Sequence, residues 1–340
     1  GQKGVDDAYL VASHLDNSPD SISQMDMAEF LESPENARAF LCWNINPAAS
    51  SPEQARLMKA LEREDLFTVV LDLFATDTTD YADYVLPAAS FLEFDDLVSG
   101  YFNMSFSTQN KAAEPIGEAL PNQEIFRRLA SAMGFTEPEL QESDADMIAH
   151  IMKGISIDGG YEALKAAGTL FPSSEPQLQF AGHKYPTKSG KIGIASAAAE
   201  ADGHPRLPQA GSDARPGGGR LRLITPASDW LLNDSYANDP KVEKQLGAAT
   251  VTINPADAAA RGLAAGSRVR LSNGTGSLEL GLVVSDSVPE GAAMSVKGRW
   301  PRRAGGERAN VNVLNPGAKS DMGESTAVHG VEVEIESVAG

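Results

Sequence analysis

Two residues of this chain stand where their side chains could do chemistry: an aspartate that closes an apolar run, and an asparagine that leads into a proline. Asp72 follows the run Leu66 to Leu71, and Asn46 follows Ala39-Phe40-Leu41-Cys42-Trp43 and precedes Pro47. A carboxylate offers two accepting oxygens, whereas an amide both donates and accepts. Each residue lies where an apolar run gives way to a turn. In parallel α/β sheets, ligands sit beyond the carboxyl ends of the strands. Other chemistries are poorly provided for. The single cysteine, Cys42, permits no disulfide within the chain, no iron–sulfur cluster and no Cys-based zinc site. Inside its apolar run it reads as a buried, inert thiol. No His, Asp and nucleophile are grouped by a hydrolase signature.

The elements that must position these residues can be read from spacing. Residues 38–47 predict a short buried strand ending in an Asn-Pro turn. Ser51-Pro52-Glu53 predicts a helix start, with Ser51 as cap and Leu57, Ala60 and Leu61 on its apolar face. A second apolar strand ends at Asp72, and strand, helix, strand with continuous apolar strands predicts a parallel α/β sheet. Residues 122–134 predict an amphipathic helix capped by Asn122 and stopped at Gly134. Short helices follow over 137–170, with the acidic stretch Glu137 to Asp146 as a solvated face. A Pro/Gly/Ser-rich stretch then includes a linker from Gly211 to Gly219. Beyond it the pattern turns to short strands: 221–224, 250–253, 268–271, 277–284 and 331–335. One small helix, Pro255 to Arg261, carries Asn254 as its cap, and an Asn273-Gly274 turn marks a hairpin.

Composition narrows the partners. A net charge of −19 disfavours nucleic acid, whose binders use Lys and Arg to displace phosphate counterions. A hydrophobic fraction of 42% is that of a globular protein. No apolar run reaches the about 18 residues of a membrane span, and a cytoplasmic location is expected. The chain begins without Met and in mid-pattern, which reads as a piece of something longer.

Four stretches stand out in order: NINPAASSPEQ; DLFATDTTDYADYVLPAASFLEFDD, with Asp72, Thr76 to Thr79, Ala82-Asp83, Val85-Leu86-Pro87 and Glu93; YPTKSGKIGIAS, with a Thr-x-Ser-Gly-Lys pattern; and residues 221–335. The last carries Ile253-Asn254-Pro255-Ala256-Asp257-Ala258, Gly262, Gly266, the Asn273–Gly276 hairpin, Val288 to Gly291 and Asn310-Val311-Asn312. In this order they resemble the molybdopterin oxidoreductases of the dimethyl sulfoxide reductase superfamily. The resemblance implies a partial α/β dinucleotide-binding region over 1–110, a mostly helical connecting region over 111–219, and a molybdopterin dinucleotide-binding double-psi β-barrel over 220–340.

It also implies a cofactor, molybdopterin guanine dinucleotide, normally paired around molybdenum or tungsten, with no iron–sulfur cluster in this chain. Asp72 matches the family's guanine-binding position, since a carboxylate can accept N1–H and N2–H₂ together. Asn46 suits a ribose or pyrophosphate, and Asn122 aligns with a nucleotide-contacting position that is often Asp. Thr225, Ser228 and Asn233 lie in a loop that in relatives wraps the pterin and pyrophosphate. Asn312 and His329 match positions beside the pterin, with a surface residue as the alternative for His329. Gly262, Gly266 and Gly291 read as turn formers, and Asp83 and Pro87 as loop-shaping residues. Glu93 fits either a buried acceptor or a surface charge. The basic cluster Lys297, Arg299, Arg302 and Arg303 reads as a surface loop, with neutralisation of phosphates as the alternative. The metal-ligating residue belongs to the family's preceding half, so this polypeptide is expected to be catalytically incomplete alone. Its expected partners are that half of a bacterial enzyme and an electron-transfer subunit. A stand-alone noncatalytic scaffold subunit or cofactor chaperone is the alternative, and an apolar surface left by the missing half is a further expectation.

Overall fold

Alternating burial along short apolar runs builds the first layer of the fold. The computed structural model describes residues 22–100, 105–153, 159–171, 178–209, 215–303 and 309–338. Helix α1 (Met27–Glu32) leads into strand β1 (Ala39–Trp43), a one-turn helix α2 (Pro47–Ser50), helix α3 (Gln54–Leu61), and strands β2 (Phe67–Asp72) and β3 (Tyr84–Pro87). The three strands form one sheet in the order β1-β2-β3. Asp83 N donates to Thr68 O (2.8 Å) and Ala88 N to Asp72 O (3.1 Å), so β2 and β3 advance together, as parallel strands do. On one side, Leu31, Leu57, Leu61 and Leu66 pack with Phe40 into a buried cluster. On the other, Leu41, Trp43 (49% exposed) and Phe67 (50% exposed) face outward, and Phe67 meets exposed Tyr84 edge to face at 5.9 Å.

Two sequence expectations fail here for local reasons. β1 is not a buried strand, because only Cys42 along it is buried; its apolar run reflects a bare sheet face. Cys42 itself is buried as expected, and its thiol donates to Ile45 O at 3.2 Å. Nor does Ser51 cap the next helix. Pro47–Ser50 makes its own turn, Glu53 precedes α3 in the left-handed region (φ 48°), and the buried Ser51 hydroxyl has no partner among the described residues. Two prolines five residues apart allowed two short helices where one was expected.

The chain then folds an antiparallel sheet from β4 (Asp96–Ser99), β5 (Phe106–Gln109) and β6 (Thr169–Leu170), with helices α4 (Asn122–Ala132), α5 (Asp144–Met152) and α6 (Gly160–Ala167). Ile148, Met152 and Leu164 form its core, with Leu97 and Phe106 packed on them. The hairpin β4–β5 had no clear alternation in sequence. Helix α4 occurs where expected and ends before Gly134 (φ 77°). Its cap, however, is Pro121, and Asn122 is the first helical residue. Ser143 caps α5, and Asp144 in the acidic stretch pairs with Arg127. The YPTKSGKIGIAS segment is a turn rather than a strand, closed by Gly190 N donating to Thr187 O at 3.0 Å. The linker expected from Gly211 to Gly219 lies partly outside the described residues.

After a short helix α7 (Ala197–Ala201) comes β7 (Leu221–Ile224), α8 (Pro240–Leu246), β8 (Thr250–Ile253), α9 (Pro255–Ala260), β9 (Arg268–Ser272), β10 (Ser277–Val284), β11 (Ala292–Met294) and β12 (Glu332–Ser337). These strands close the expected double-psi barrel, in the order β10-β8-β11-β7-β12-β9. The pairs β10–β8 and β11–β7 are parallel; the others are antiparallel. Every second residue points inward, so Leu221, Leu223, Val251, Ile253, Val269 and Leu271 are fully buried. Asn273 closes the β9–β10 hairpin by accepting from Thr275 N (2.9 Å) and Gly276 N (3.2 Å). Asn254 caps α9 as expected. Gly262, Gly266 and Gly291 all have positive φ, the turn-forming role read for them.

By density of contacts the chain divides into two compact units. One holds Ile22–Val70, Ala75–Val85 and Gly193–Gly340, and therefore includes the barrel; the other holds Leu71–Phe74 and Leu86–Ile192. Among the described residues, no helix is long and apolar enough to cross a membrane.

Candidate cofactor-binding site

In the barrel unit, the loop that follows β7 is pinned along its backbone while several of its side chains stay free. Pro226 O accepts Lys297 N (3.1 Å), and Ser228 Oγ accepts Trp230 N (3.1 Å). Leu231 is buried with Ala49, Ala237 and Trp300. Asn233 adopts positive φ (55°), and its carbonyl lies so near Gly298 that a Cβ there would approach it to 1.9 Å. Trp300 Nε1 donates to Asp234 O at 2.8 Å. Among the described residues, the Thr225 hydroxyl and the exposed Asn233 amide have no protein partner. Trp230 and Leu232 present exposed apolar surface beside them.

Within the basic cluster Arg302 and Arg303 are exposed, as a surface loop has them, whereas Arg299 is half-buried. Arg299 donates to Gly247 O and Leu246 O, both at 2.9 Å, the carbonyl end of α8. Burial holds its guanidinium pKa below the usual value. Arg302 donates to Ala75 O (2.8 Å) and Thr76 O (2.9 Å), and Arg303 pairs with Glu243 (2.9 Å). In an acidic chain Arg299 and Arg302 hold backbone carbonyls together, which charge counting in sequence cannot show. Lys297 is the member of the cluster whose side chain has no partner among the described residues.

Asn46 sits at the hub of a buried network. Its Nδ2 donates to Asp77 Oδ2 (3.0 Å), and its Oδ1 accepts Thr78 N (3.1 Å) and Thr78 Oγ1 (2.8 Å). The other Asp77 oxygen accepts Arg302 N at 2.6 Å. Nearby, Gln54 donates to Ala48 O (2.8 Å) and to Asn310 Oδ1 (3.2 Å). Asn310 Nδ2 reaches Ala49 O (2.8 Å) and Arg299 O (2.7 Å), and Asn312 Nδ2 also donates to Ala49 O (2.8 Å). Asn46 and Asn312 are thus engaged with protein in this structure. Asp77, Gln54, Arg302 and Trp300 were not singled out for this network from sequence; the Thr76–Thr79 run and the Asn310-Val311-Asn312 motif were its visible traces. His329 is exposed, and its carbonyl accepts Arg222 at 3.2 Å.

In the other unit, Asp72 and Asn122 follow neighbouring extended segments. Ala88 N donates to Asp72 O; Ala88 pairs in parallel with Leu120, and Ala89 N donates to Leu120 O (2.8 Å). Asp72 is half-buried, with one carboxylate oxygen accepting Phe74 N at 3.3 Å. The Asn122 Oδ1 is buried and has no hydrogen-bond partner among the described residues. A buried acceptor left open in this way suits a ligand with N–H or O–H donors. Asp83 is a scaffold residue, accepting Thr68 N at 2.7 Å. Glu93 is a buried acceptor: Ser90 N (2.6 Å) and Ile116 N (2.9 Å) donate to it, and these backbone bonds, that of Ser90 foremost, lower its pKa. Among the described residues, no three His, Cys, Asp or Glu side chains gather to hold a metal.

Burial raises the carboxyl pKa of Asp234, and the charge of Asp77 adds to the shift. A folded-state pKa above the unfolded one favours folding below the ordinary carboxylate range and loses that contribution as pH rises through the raised value. Asp234→Asn is therefore expected to melt at higher temperature than the parent at pH 7. The two melting curves should converge below about pH 3.9. Thermal unfolding from pH 3 to 8 checks this, and a gain that persists at the acid end would count against it.

A parallel α/β sheet together with a closed six-stranded barrel defines the class of fold, and similarity to known proteins gives the family. The model of the "Molybdopterin oxidoreductase" family matches residues 14–132, and that of the "Molydopterin dinucleotide binding domain" matches residues 221–332. The chain belongs to the molybdopterin oxidoreductases of the dimethyl sulfoxide reductase family. It is 35% identical to "Probable oxidoreductase YoaE" of Bacillus subtilis, over 91% of this chain and 45% of that protein. It is 29% identical to the dimethyl sulfoxide/trimethylamine N-oxide reductase of Cereibacter sphaeroides, over 87% and 40%. Acetylene hydratase from Pelobacter acetylenicus shares the fold, with a TM-score of 0.74 and 20% identity over 93% of this chain and 46% of that one. The chain spans less than half the length of these relatives.

Proposed function

We propose that this chain is the dinucleotide-gripping portion of a bis(molybdopterin guanine dinucleotide) oxidoreductase, with a complementary portion supplying the metal ligand. The observation that carries the reading is the loop after β7, whose backbone is pinned while Thr225, Ser228 and Asn233 keep hydrogen-bonding capacity beside exposed apolar side chains. When bound, the cofactor supplies two-electron redox chemistry at molybdenum or tungsten; the protein supplies orientation and electrostatics. Thr225, Ser228 and Asn233 would hold the pterin and pyrophosphate by neutral hydrogen bonds, with Lys297 as the nearby cation and His329 as a further donor. Asn122, with its open acceptor, and Asp72 would hold the nucleotide. Asn46 and Asn312 would act on the cofactor by shaping the turns they hold. The bare face of the sheet, with Leu41, Trp43 and Phe67 outward, fits burial against the complementary portion, since parallel sheets are ordinarily covered on both faces. An electron-transfer subunit and a cytoplasmic setting belong to the same reading.

Asp72 provides the test. A carboxylate pairs with guanine N1–H and N2–H₂, whereas adenine presents an acceptor at N1 and leaves an oxygen unpaired. Losing such a pairing at a desolvated site costs about 2–5 kcal/mol. Asp72→Ala in the protein purified from its host is expected to lose bound dinucleotide, read as purine nucleotide released by acid per folded molecule. Asp72→Asn is expected to weaken guanine retention with unchanged circular dichroism. Full guanine occupancy in both variants would remove Asp72 from the site.

A further inference from the structure

We infer that Asp77 is a positioning residue that sets the geometry of the loop at 225–234 from a distance, through the strap of residues 298–302. The inference rests on the cofactor role proposed for that loop, but its mechanical part stands on contacts within one compact unit. The strap touches the loop at two places. Gly298 lies against the Asn233 carbonyl, and the Trp300 indole donates to the Asp234 carbonyl at 2.8 Å while its ring packs with Leu231. At its far end the strap is tied to Asp77, whose Oδ1 accepts Arg302 N at 2.6 Å. Asp77 is 3% exposed and lies too deep for water to replace that bond.

The hydrogen-bond polarity of the tie is fully specified. Asp77 accepts at both oxygens, from Arg302 N and from Asn46 Nδ2. Asn46 can offer Nδ2 to Asp77 because its Oδ1 is held by Thr78 N and Thr78 Oγ1. Replacing the Asp77 carboxylate with an amide breaks this order in either orientation. One places the new NH₂ against Asn46 Nδ2; the other places it against Arg302 N–H. Rotating the Asn46 amide relieves the first conflict only by turning its NH₂ onto Thr78 N–H. A donor therefore faces a donor wherever the defect is moved, and a buried mispairing of this kind is costly.

The double exchange Asn46→Asp with Asp77→Asn restores every donor–acceptor match. The carboxylate moved to position 46 would accept from Thr78 and from the amide moved to position 77. The oxygen of that amide would in turn accept from Arg302 N. Total charge is unchanged and moves by one side chain. A merely space-filling role for Asp77 predicts no such rescue.

The experiment measures amide hydrogen exchange and acid-released purine nucleotide in the protein purified from its host, for the parent, Asp77→Asn and the double variant. Asp77→Asn is expected to speed exchange across 225–234 by about tenfold, the scale of one unsatisfied buried pairing. Exchange in β9 and β10 should stay at the parental rate, and nucleotide retention should fall. The double variant should recover both loop protection and retention. Unchanged loop exchange in Asp77→Asn, an equal rise in β9 and β10, or a folded double variant without recovery would each overturn the inference. A loosened loop that keeps its full nucleotide would instead overturn the cofactor role proposed for 225–234 and leave the positioning intact. Should Asp77→Asn not accumulate, the double variant decides alone: parental loop protection supports the strap, and its loss refutes it.

Discussion

Gly298→Ala is expected to be among the most damaging single-methyl additions in this chain. Gly298 has φ +96°, and a Cβ built on it lies 1.9 Å from Asn233 O, 2.9 Å from Asn233 C and 3.1 Å from Leu231 Cδ1. The first two obstacles are backbone, which cannot swing aside as the end of a side chain can. Relief requires the strap and the loop to separate, losing the Trp300–Asp234 hydrogen bond and the packing around Leu231. Left-handed conformation costs a non-glycine residue about 1–2 kcal/mol and overpacking about 1–3 kcal/mol, so a loss of about 3 kcal/mol is expected. Urea unfolding should show a lower midpoint with the slope retained. A parental midpoint would mean that loop and strap are not held at the distance described. Gly262→Ala is the control: it also has positive φ but finds no atom within 4 Å of the new Cβ, so it should lose only the backbone component.

Asn310→Leu is expected to cost about 2–4 kcal/mol, because it removes a buried side chain whose every polar atom is matched. Asn310 is 5% exposed; its amide reaches Ala49 O and Arg299 O, and its oxygen accepts from Gln54 Nε2 and Asn312 N. Leucine has similar size but leaves Arg299 O and Asn312 N without these partners. Asn310→Asp should do no better, since it sets a carboxylate oxygen against two carbonyls. Asn312→Ala should be milder, because Ala49 O keeps its bond from Asn310. Urea titrations of the three variants check this order. If Asn312→Ala proved the most damaging, Asn310 would not be the central member of the network.

The barrel was the most legible part of the sequence. In Leu221–Ile224, Thr250–Ile253 and Ser277–Val284 the residues facing the interior alternate with those facing out, and the structure places strands there. The Asn254 cap and the Asn273 turn were equally plain, since each is satisfied by backbone N–H groups two or three residues away. Strand β11 was not seen, because Ala292 and Ala293 are too small to mark an inward face. The cap at Asn122 was misjudged because Pro121 already supplies the extended residue before the helix, placing Asn122 within it. The run Ala39 to Trp43 was read as buried because hydrophobicity reports what a face is made of, not whether anything covers it.

Local pattern alone thus determined the barrel strands other than β11, the strand ending at Asp72, the helix at 122–132 and, through ordered motifs, the family. Tertiary structure alone decided what the polar side chains do. Asn46 and Asp77 lie 31 residues apart, and Gln54 and Asn310 lie 256 apart, yet each pair shares a buried hydrogen bond. Arg299 reads as surface charge in the sequence, yet the fold brings the carbonyls at a distant helix end to it. The physical reason is range. Periodicity and capping act over a few residues and leave a trace at fixed spacing. A buried polar bond forms between whichever donor and acceptor the closed chain brings together, so its partners carry no mark of one another along the sequence.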